Sequence, residues 1–217
     1  MRLLIVTQAV DTEDPVLGFF HRWIEEFAKH CESVHVICLR EGKHSLPQNV
    51  HVHSLGKESG RSRIKYITRF YKYIWSLRGE YDAVFVHMNP EYIVLGGLLW
   101  RILGKKISLW YIHPKTPPTL RIGAVLTHLI FTAVAGSVSV ISSKIRAVGH
   151  GIDIERFNIR TDDPAPGSIL FLGRLDSVKN VALFVHALQS LHESGEIFKA
   201  AIYGSPTQPD SKYAHDV

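Results

Sequence analysis

The sequence SILFLGRLDSVKN, residues 168–180, sets the frame in which the rest of the chain is read. Residues 168–172 are a short apolar run closed by Gly173. Arg174 and Lys179 follow, and from Asn180 to Leu191 apolar residues recur at helical spacing. This pattern predicts a buried strand, a tight turn and a helix. A strand that hands over to a helix gathers backbone N–H groups and positive charge at one point, which suits an anion and above all a phosphate. Arginine grips an oxygen pair as a fork, and lysine adds a point charge. Spacing alone fits two readings: a phosphate turn, or an ordinary turn with two solvated cations.

Working back to the start, LLIVT at residues 3–7 reads as a buried first strand, followed by a polar loop holding Asp11, Glu13 and Asp14. Phe19, Phe20, Trp23, Ile24, Phe27 and Ala28 have helical spacing. A second strand at 33–39 and a weaker third at 50–55 complete a β-α-β start, the opening of a doubly wound parallel sheet. No G-x-G-x-x-G follows the first strand, which argues against a dinucleotide oxidoreductase.

Residues 56–79, bounded by Gly56 and Gly79, form a basic amphipathic helix with its flanks. Lys57, Arg61, Arg63, Lys65, Arg69, Lys72 and Arg78 share it with Ile64, Ile67, Tyr71, Ile74 and Trp75. Its apolar face is either domain core with the cations solvated, or a surface that rests on an anionic membrane. Strands at 81–87 and 107–112 deliver His87 and His113 to their carboxyl ends, the edge where open α/β sheets bind ligands. Either histidine is also compatible with a plain loop position. A long apolar helix at 120–135 and a strand at 138–142 are expected next, and TDDPAPG at 161–167 reads as a linker.

Composition narrows the field. The 217 residues are 46% hydrophobic and 21% charged, a globular balance. The net charge of +5 and pI near 9.2 suit nucleotides or anionic surfaces. The basic residues cluster on one helix without the aromatic-rich motifs of RNA binders, so no nucleic-acid partner is expected. The 13 histidines are scattered, none at zinc-ligand spacing with cysteine, and no metal is expected. Cys31 and Cys38 read as free thiols of a reducing compartment. The apolar N-terminus runs straight into acids and reads as a strand rather than a signal peptide. Residues 122–141 come nearest to a membrane span, but their polar residues favour a buried helix and strand.

The wording FLGRL-x-x-x-K-N resembles the donor-phosphate motif of the retaining, family 4 (group 1) glycosyltransferases, which have the GT-B fold. AVGHGIDIERF at 147–157 is similar to that family's hinge between domains: Gly151, Asp153 and Phe157 match, and His150 replaces the usual Asn. The resemblance runs in order along the whole chain. It implies a Rossmann-like doubly wound parallel domain over 1–160, a linker at 161–167, and the start of a second Rossmann-like, nucleotide-sugar-binding domain at 168–217.

It further implies that Gly173, Arg174 and Lys179 hold the diphosphate of a UDP- or GDP-sugar, used as a substrate with no separate cofactor. His113 aligns with the histidine that contacts the reacting sugar, and His87 with a more variable acceptor-side position. Gly18, in VLGFF, stands where the family carries a glycine-pair loop after the first strand; here one glycine is left. The implied reaction moves a sugar to a hydroxyl of a sugar or lipid-linked acceptor with retention, in the cytoplasm, at the inner face of the membrane where the acceptor is lipid-linked.

The family's Glu-x7-Glu motif does not follow Lys179; Glu193 and Glu196 are the only glutamates there. A self-standing α/β domain needs about a hundred residues or more. The expectation is therefore a C-terminally truncated transferase with part of the donor pocket missing. The alternative is a non-catalytic or split-enzyme subunit that serves as a membrane-surface or partner-binding module.

Overall fold

The structure is a computed structural model, and it describes residues 1–60, 62–140, 142–157, 165–206, 213 and 215. The chain divides into two compact units, Met1–Ile152 and Asp153–Val217. Of the expected linker, residues 161–164 lie outside the described residues, as does Arg61 of the basic helix.

The first unit is a seven-stranded, all-parallel sheet in the order β3-β2-β1-β4-β5-β6-β7. The strands are β1 (Arg2–Val10), β2 (Ser33–Glu41), β3 (Val50–Ser54), β4 (Ala83–His87), β5 (Lys106–Trp110), β6 (Leu129–Thr132) and β7 (Ile145–Ala147). Reversal of strand order on either side of β1 makes it a doubly wound, Rossmann-like sheet, and the C-terminal ends of β1 and β4 flank its switch point. Leu4, Ile5 and Val6 of β1 are fully buried, since a central parallel strand is covered on both faces. Arg2 donates to Asp82 at 2.8 Å, tying the start of β1 to the segment that leads into β4.

Helix α1 (Phe20–His30) covers one face, burying Phe20, Ile24 and Ala28 against β1 and β2. Helices α2 (Arg63–Ser76), α3 (Glu91–Ile102) and α4 (Pro118–Leu126) cover the other. There Trp100 Nε1 donates to Tyr81 Oη (3.1 Å), which donates to the Ile74 carbonyl (2.9 Å), so these buried polar atoms are partnered. Among the described residues no further helix packs on the α1 side of β4, β5 and β6. A trough of about 680 Å3 lies there, lined by Trp23, Phe27, Phe85, Trp110, Leu129 and Phe131 among others.

Two sequence expectations need correction. The apolar helix expected at 120–135 stops at Leu126, and LIFT at 129–132 is strand β6, paired with β5. A continuous apolar run cannot by itself separate helix from buried strand. The break has a physical cause: Lys144 Nζ donates to the last helical carbonyls, those of Ala124 (2.7 Å) and Val125 (3.0 Å), and to that of Thr127 (2.8 Å). The strand expected at 138–142 is instead β7, further along. Val138 is buried but lies in irregular chain. Among the described residues no helix is long and apolar enough to cross a membrane.

In the second unit, β8 (Ser168–Leu172) and β9 (Lys199–Tyr203) are parallel neighbours in register. Helix α5 (Ile154–Phe157) precedes them, and α6 (Val181–Glu193) connects them.

Candidate functional site

The turn after β8 is built by its neighbours. Gly173 N–H donates to the Tyr203 carbonyl (3.0 Å) and Leu175 N–H to that of Ser205 (3.1 Å), so β8 and β9 stay zipped past their last strand residues. At this point Gly204 has the tight position: a Cβ there would lie 1.8 Å from the Gly173 carbonyl oxygen. Gly173 itself has ordinary room. The sequence reading singled out Gly173; the steric need for glycine is at Gly204.

A single 3-10 turn, Ser177–Lys179, separates the strand from α6, and Asn180 has φ +51°. The helix therefore starts after Lys179 and not at it. Asp176 caps this turn: its Oδ1 accepts from Lys179 N–H at 3.0 Å, while its Oδ2 pairs with Arg174 Nη2 at 3.1 Å. Asp176 is 3% exposed; Arg174 and Lys179 are exposed. The turn thus places two cations in solvent beside a buried carboxylate. The reading of the sequence missed Asp176. The signal available was an Asp three residues before Lys179, the N-cap spacing.

In the first unit, His87 ends β4 and is 2% exposed. Its ring stacks on Phe20, Phe19 stands edge-on to it at 6.1 Å, and Nδ1 lies 3.3 Å from Thr7 Oγ1. Burial drives its pKa down to about 3, so the ring is neutral. The next residue, Met88, has φ +63°, uncommon for a non-glycine residue. Such conformations gather at functional edges. Gly18 lies close by in sequence to Phe19 and Phe20, so the structure brings Gly18 and His87 to the same end of the sheet. A Cβ on Gly18 would sit 2.8 Å from the Asp14 carbonyl oxygen, which explains a glycine there without a ligand.

The loop after β1 owes its shape to acids. Asp14 Oδ1 accepts from the N–H groups of Val16 (2.8 Å) and Leu17 (2.7 Å), and its Oδ2 pairs with Arg40. Asp11 adds a 3.4 Å contact to the same guanidinium. These partners lower the Asp14 pKa against the opposing effect of burial. The loop is clamped to the end of β2 in place of the flexibility that a glycine pair gives.

His113 lies beyond the end of β5 and is exposed. Its Nδ1 accepts from Lys115 N–H at 3.1 Å, and its ring lies 6.5 Å from that of Tyr111. Among the described residues no group of three or more His, Cys, Asp or Glu side chains could hold a metal ion.

Residues 13–116, just under half of the chain, match a family model described as glycosyl transferase 4-like. No curated protein matches the chain. Among solved structures, HepE from Anabaena, in complex with UDP, superposes with a TM-score of 0.70 at 14% identity over all of this chain and 64% of that one. MurG from Acinetobacter baumannii gives 0.54 at 15% identity, over 98% of this chain and 61% of its own. The UDP-GlcNAc 2-epimerase of Methanocaldococcus jannaschii gives 0.55 at 15% identity, over 100% and 68%. The chain thus spans under two thirds of the length of the first two. At these identities the likeness is one of fold: α/β, of GT-B type, with a Rossmann-like parallel sheet.

Proposed function

We propose that this chain carries the donor-diphosphate turn and the acceptor-side domain of a retaining glycosyltransferase that uses a UDP- or GDP-sugar. One observation carries the reading: exposed Arg174 and Lys179 stand on a turn locked at the carboxyl end of β8, where α/β sheets bind anionic ligands. The UDP held by HepE, of the same fold, supports it. In the reaction the bond from the anomeric carbon to the diphosphate breaks and negative charge builds on the leaving oxygen. Arg174 and Lys179 stabilise that charge through fixed positive groups. His113 contacts the reacting sugar through its free ring nitrogen. His87, being buried, acts on the acceptor side by holding Phe19 and Phe20 and hence the Gly18 loop. The test is an NMR titration of the 15N-labelled chain with UDP and with GDP. Shifts centred on residues 173–180 are expected; none there with either nucleotide would overturn the reading.

The acceptor is proposed to be lipid-linked, met at an anionic membrane surface on its cytoplasmic side. Helix α2 buries Phe70 and Ile74, yet leaves a second apolar stripe, Ile64, Ile67, Tyr71 and Trp75, in solvent. Leu98 and Ile102 on α3 and Val125 on α4, in the same helical layer, are also exposed. Arg63, Lys65, Lys72 and Arg78 flank the stripe, with no acid on α2. Apolar and aromatic residues interleaved with cations suit a headgroup layer.

A further inference from the structure

We propose that Asp176 is a positioning residue of the diphosphate turn, holding the Arg174 guanidinium and the Lys179 main chain in one geometry before an anion arrives. The inference rests on the reading of that turn as the donor-phosphate site. A guanidinium offers five donors in a planar fork. Asp176 Oδ2 takes one nitrogen, Nη2, at 3.1 Å, and the Arg174 side chain remains 52% exposed, so the rest of the fork faces solvent. An arginine free in water samples many rotamers, and holding it in one costs entropy. Fixing it beforehand removes part of the cost of binding. The same carboxylate, through Oδ1, receives Lys179 N–H at 3.0 Å, and the Asp176 carbonyl receives that N–H at 3.1 Å as well. One side chain therefore ties the Arg174 guanidinium to the main chain from which Lys179 springs.

The pairing is also self-enforcing. A carboxylate 3% exposed needs a partner, because a buried unpaired charge is costly. Arg174 is the cation that meets it. Opposing this arrangement is repulsion between the Asp176 carboxylate and an incoming diphosphate. The two effects predict opposite outcomes for one substitution: loss of the anchor weakens anion binding, whereas loss of repulsion tightens it. The anchor prevails here because the carboxylate's charge is already matched by Arg174 and its Oδ1 faces the Lys179 amide and not solvent.

The experiment is an NMR titration of the full chain with UDP and, separately, with inorganic pyrophosphate. It compares the natural chain with Asp176→Asn, Asp176→Glu, Arg174→Ala and the double variant Arg174→Ala/Asp176→Asn. Asp176→Asn keeps an oxygen able to cap Lys179 N–H, so the melting temperature should hold. The expected result is a dissociation constant at least about fivefold weaker for Asp176→Asn, by loss of a charge-assisted anchor. Asp176→Glu should lose less. If Asp176 acts through Arg174, the double variant binds no more weakly than Arg174→Ala alone, an outcome that a merely structural role does not give. Unchanged or tighter binding by Asp176→Asn, or fully additive losses in the double variant, overturns the proposal. Should Asp176→Asn fail to fold, the same cycle run with Asp176→Glu decides it. A natural chain that responds to neither probe overturns the phosphate reading and this inference together. A natural chain that responds while every Asp176 variant matches it overturns this inference alone.

Discussion

The His87 ring lies flat against Phe20, with centroids 4.0 Å apart and planes 15° from parallel. A stacked, buried imidazole of this kind must stay neutral, and burial brings its pKa down to about 3. In the unfolded chain the ring titrates near the ordinary value of about 6.5. Above that pH neither state is protonated and the ring has no effect on the pH dependence. Between about 6.5 and 3 the unfolded chain holds a proton that the folded chain does not, so stability drops as the pH is lowered, by up to about 1.4 kcal/mol per unit. His35 and His53 are shifted in the same direction, mainly by burial, and add to the slope. Urea midpoints at pH 7, 5.5 and 4.5 should decline, and His87→Phe should flatten the decline. Equal slopes in the two proteins would show that His87 is not the neutral, buried ring described.

Arg174→Ala or Lys179→Ala is expected to cut turnover at least about tenfold, raising the barrier by up to about 3 kcal/mol by analogy with oxyanion donors. Steady-state kinetics with the cognate nucleotide sugar measures it. Full activity in either variant would remove that residue from the site.

Gly204→Ala tests the zipper beneath the same turn. The added methyl must move the Gly173 carbonyl from its 1.8 Å approach. Overpacking of this kind costs about 1–3 kcal/mol. The β8–β9 resonances should shift and the second unit should melt earlier, with the first unit unchanged. Gly173→Ala, which has room, should be much milder.

Cys38 is buried, and burial with Glu41 nearby pushes its thiol up to about 12. Cys31 is raised in the same sense by burial. Both thiols are free. A disulfide reagent at pH 8 should label neither in the folded chain and both in denaturant. Rapid labelling of Cys38 under native conditions would contradict its burial.

Membrane docking is read most directly through Trp75, which is 53% exposed, with Arg78 over its ring at 4.6 Å. Vesicles containing anionic lipid should blue-shift tryptophan emission and co-sediment the chain, whereas neutral vesicles should do neither. Trp75→Glu should abolish both signals. Binding that ignores lipid charge, or survives Trp75→Glu, would sink the assignment.

Much of this fold was legible because its signals are local. Buried runs such as LLIV and AVFV mark parallel strands, and Phe20, Ile24 and Ala28 mark a helix face. The region after Leu126 was not legible, since the helix end depends on Lys144, 17 residues beyond Thr127 in sequence, reaching back to cap it. The α2 reading offered core or membrane as alternatives, and the helix presents two apolar faces where the sequence reading allowed for one. At the site, the cations could be named from their motif. For Asp176 only the N-cap spacing was on offer, since its burial is a property of the closed turn, and the Gly204 constraint arises only when β8 and β9 are paired.

The interior position of β1, between β2 and β4, also sets when its own two edges can be paired during synthesis. One of its neighbours, β2, emerges soon after it, but the other, β4, ends at His87. At about 5–20 residues per second, β1 waits roughly 4–15 s with one edge unpaired. The Arg2–Asp82 ion pair also needs the segment that leads into β4. Ribosome-bound chains ending before His87 should remain open to protease at β1, and chains carrying β4 clear of the ribosome should acquire protection there. Slow codons just after β2 would lengthen the exposed interval, so the order of strands in the sheet is also a constraint on how the message can be paced.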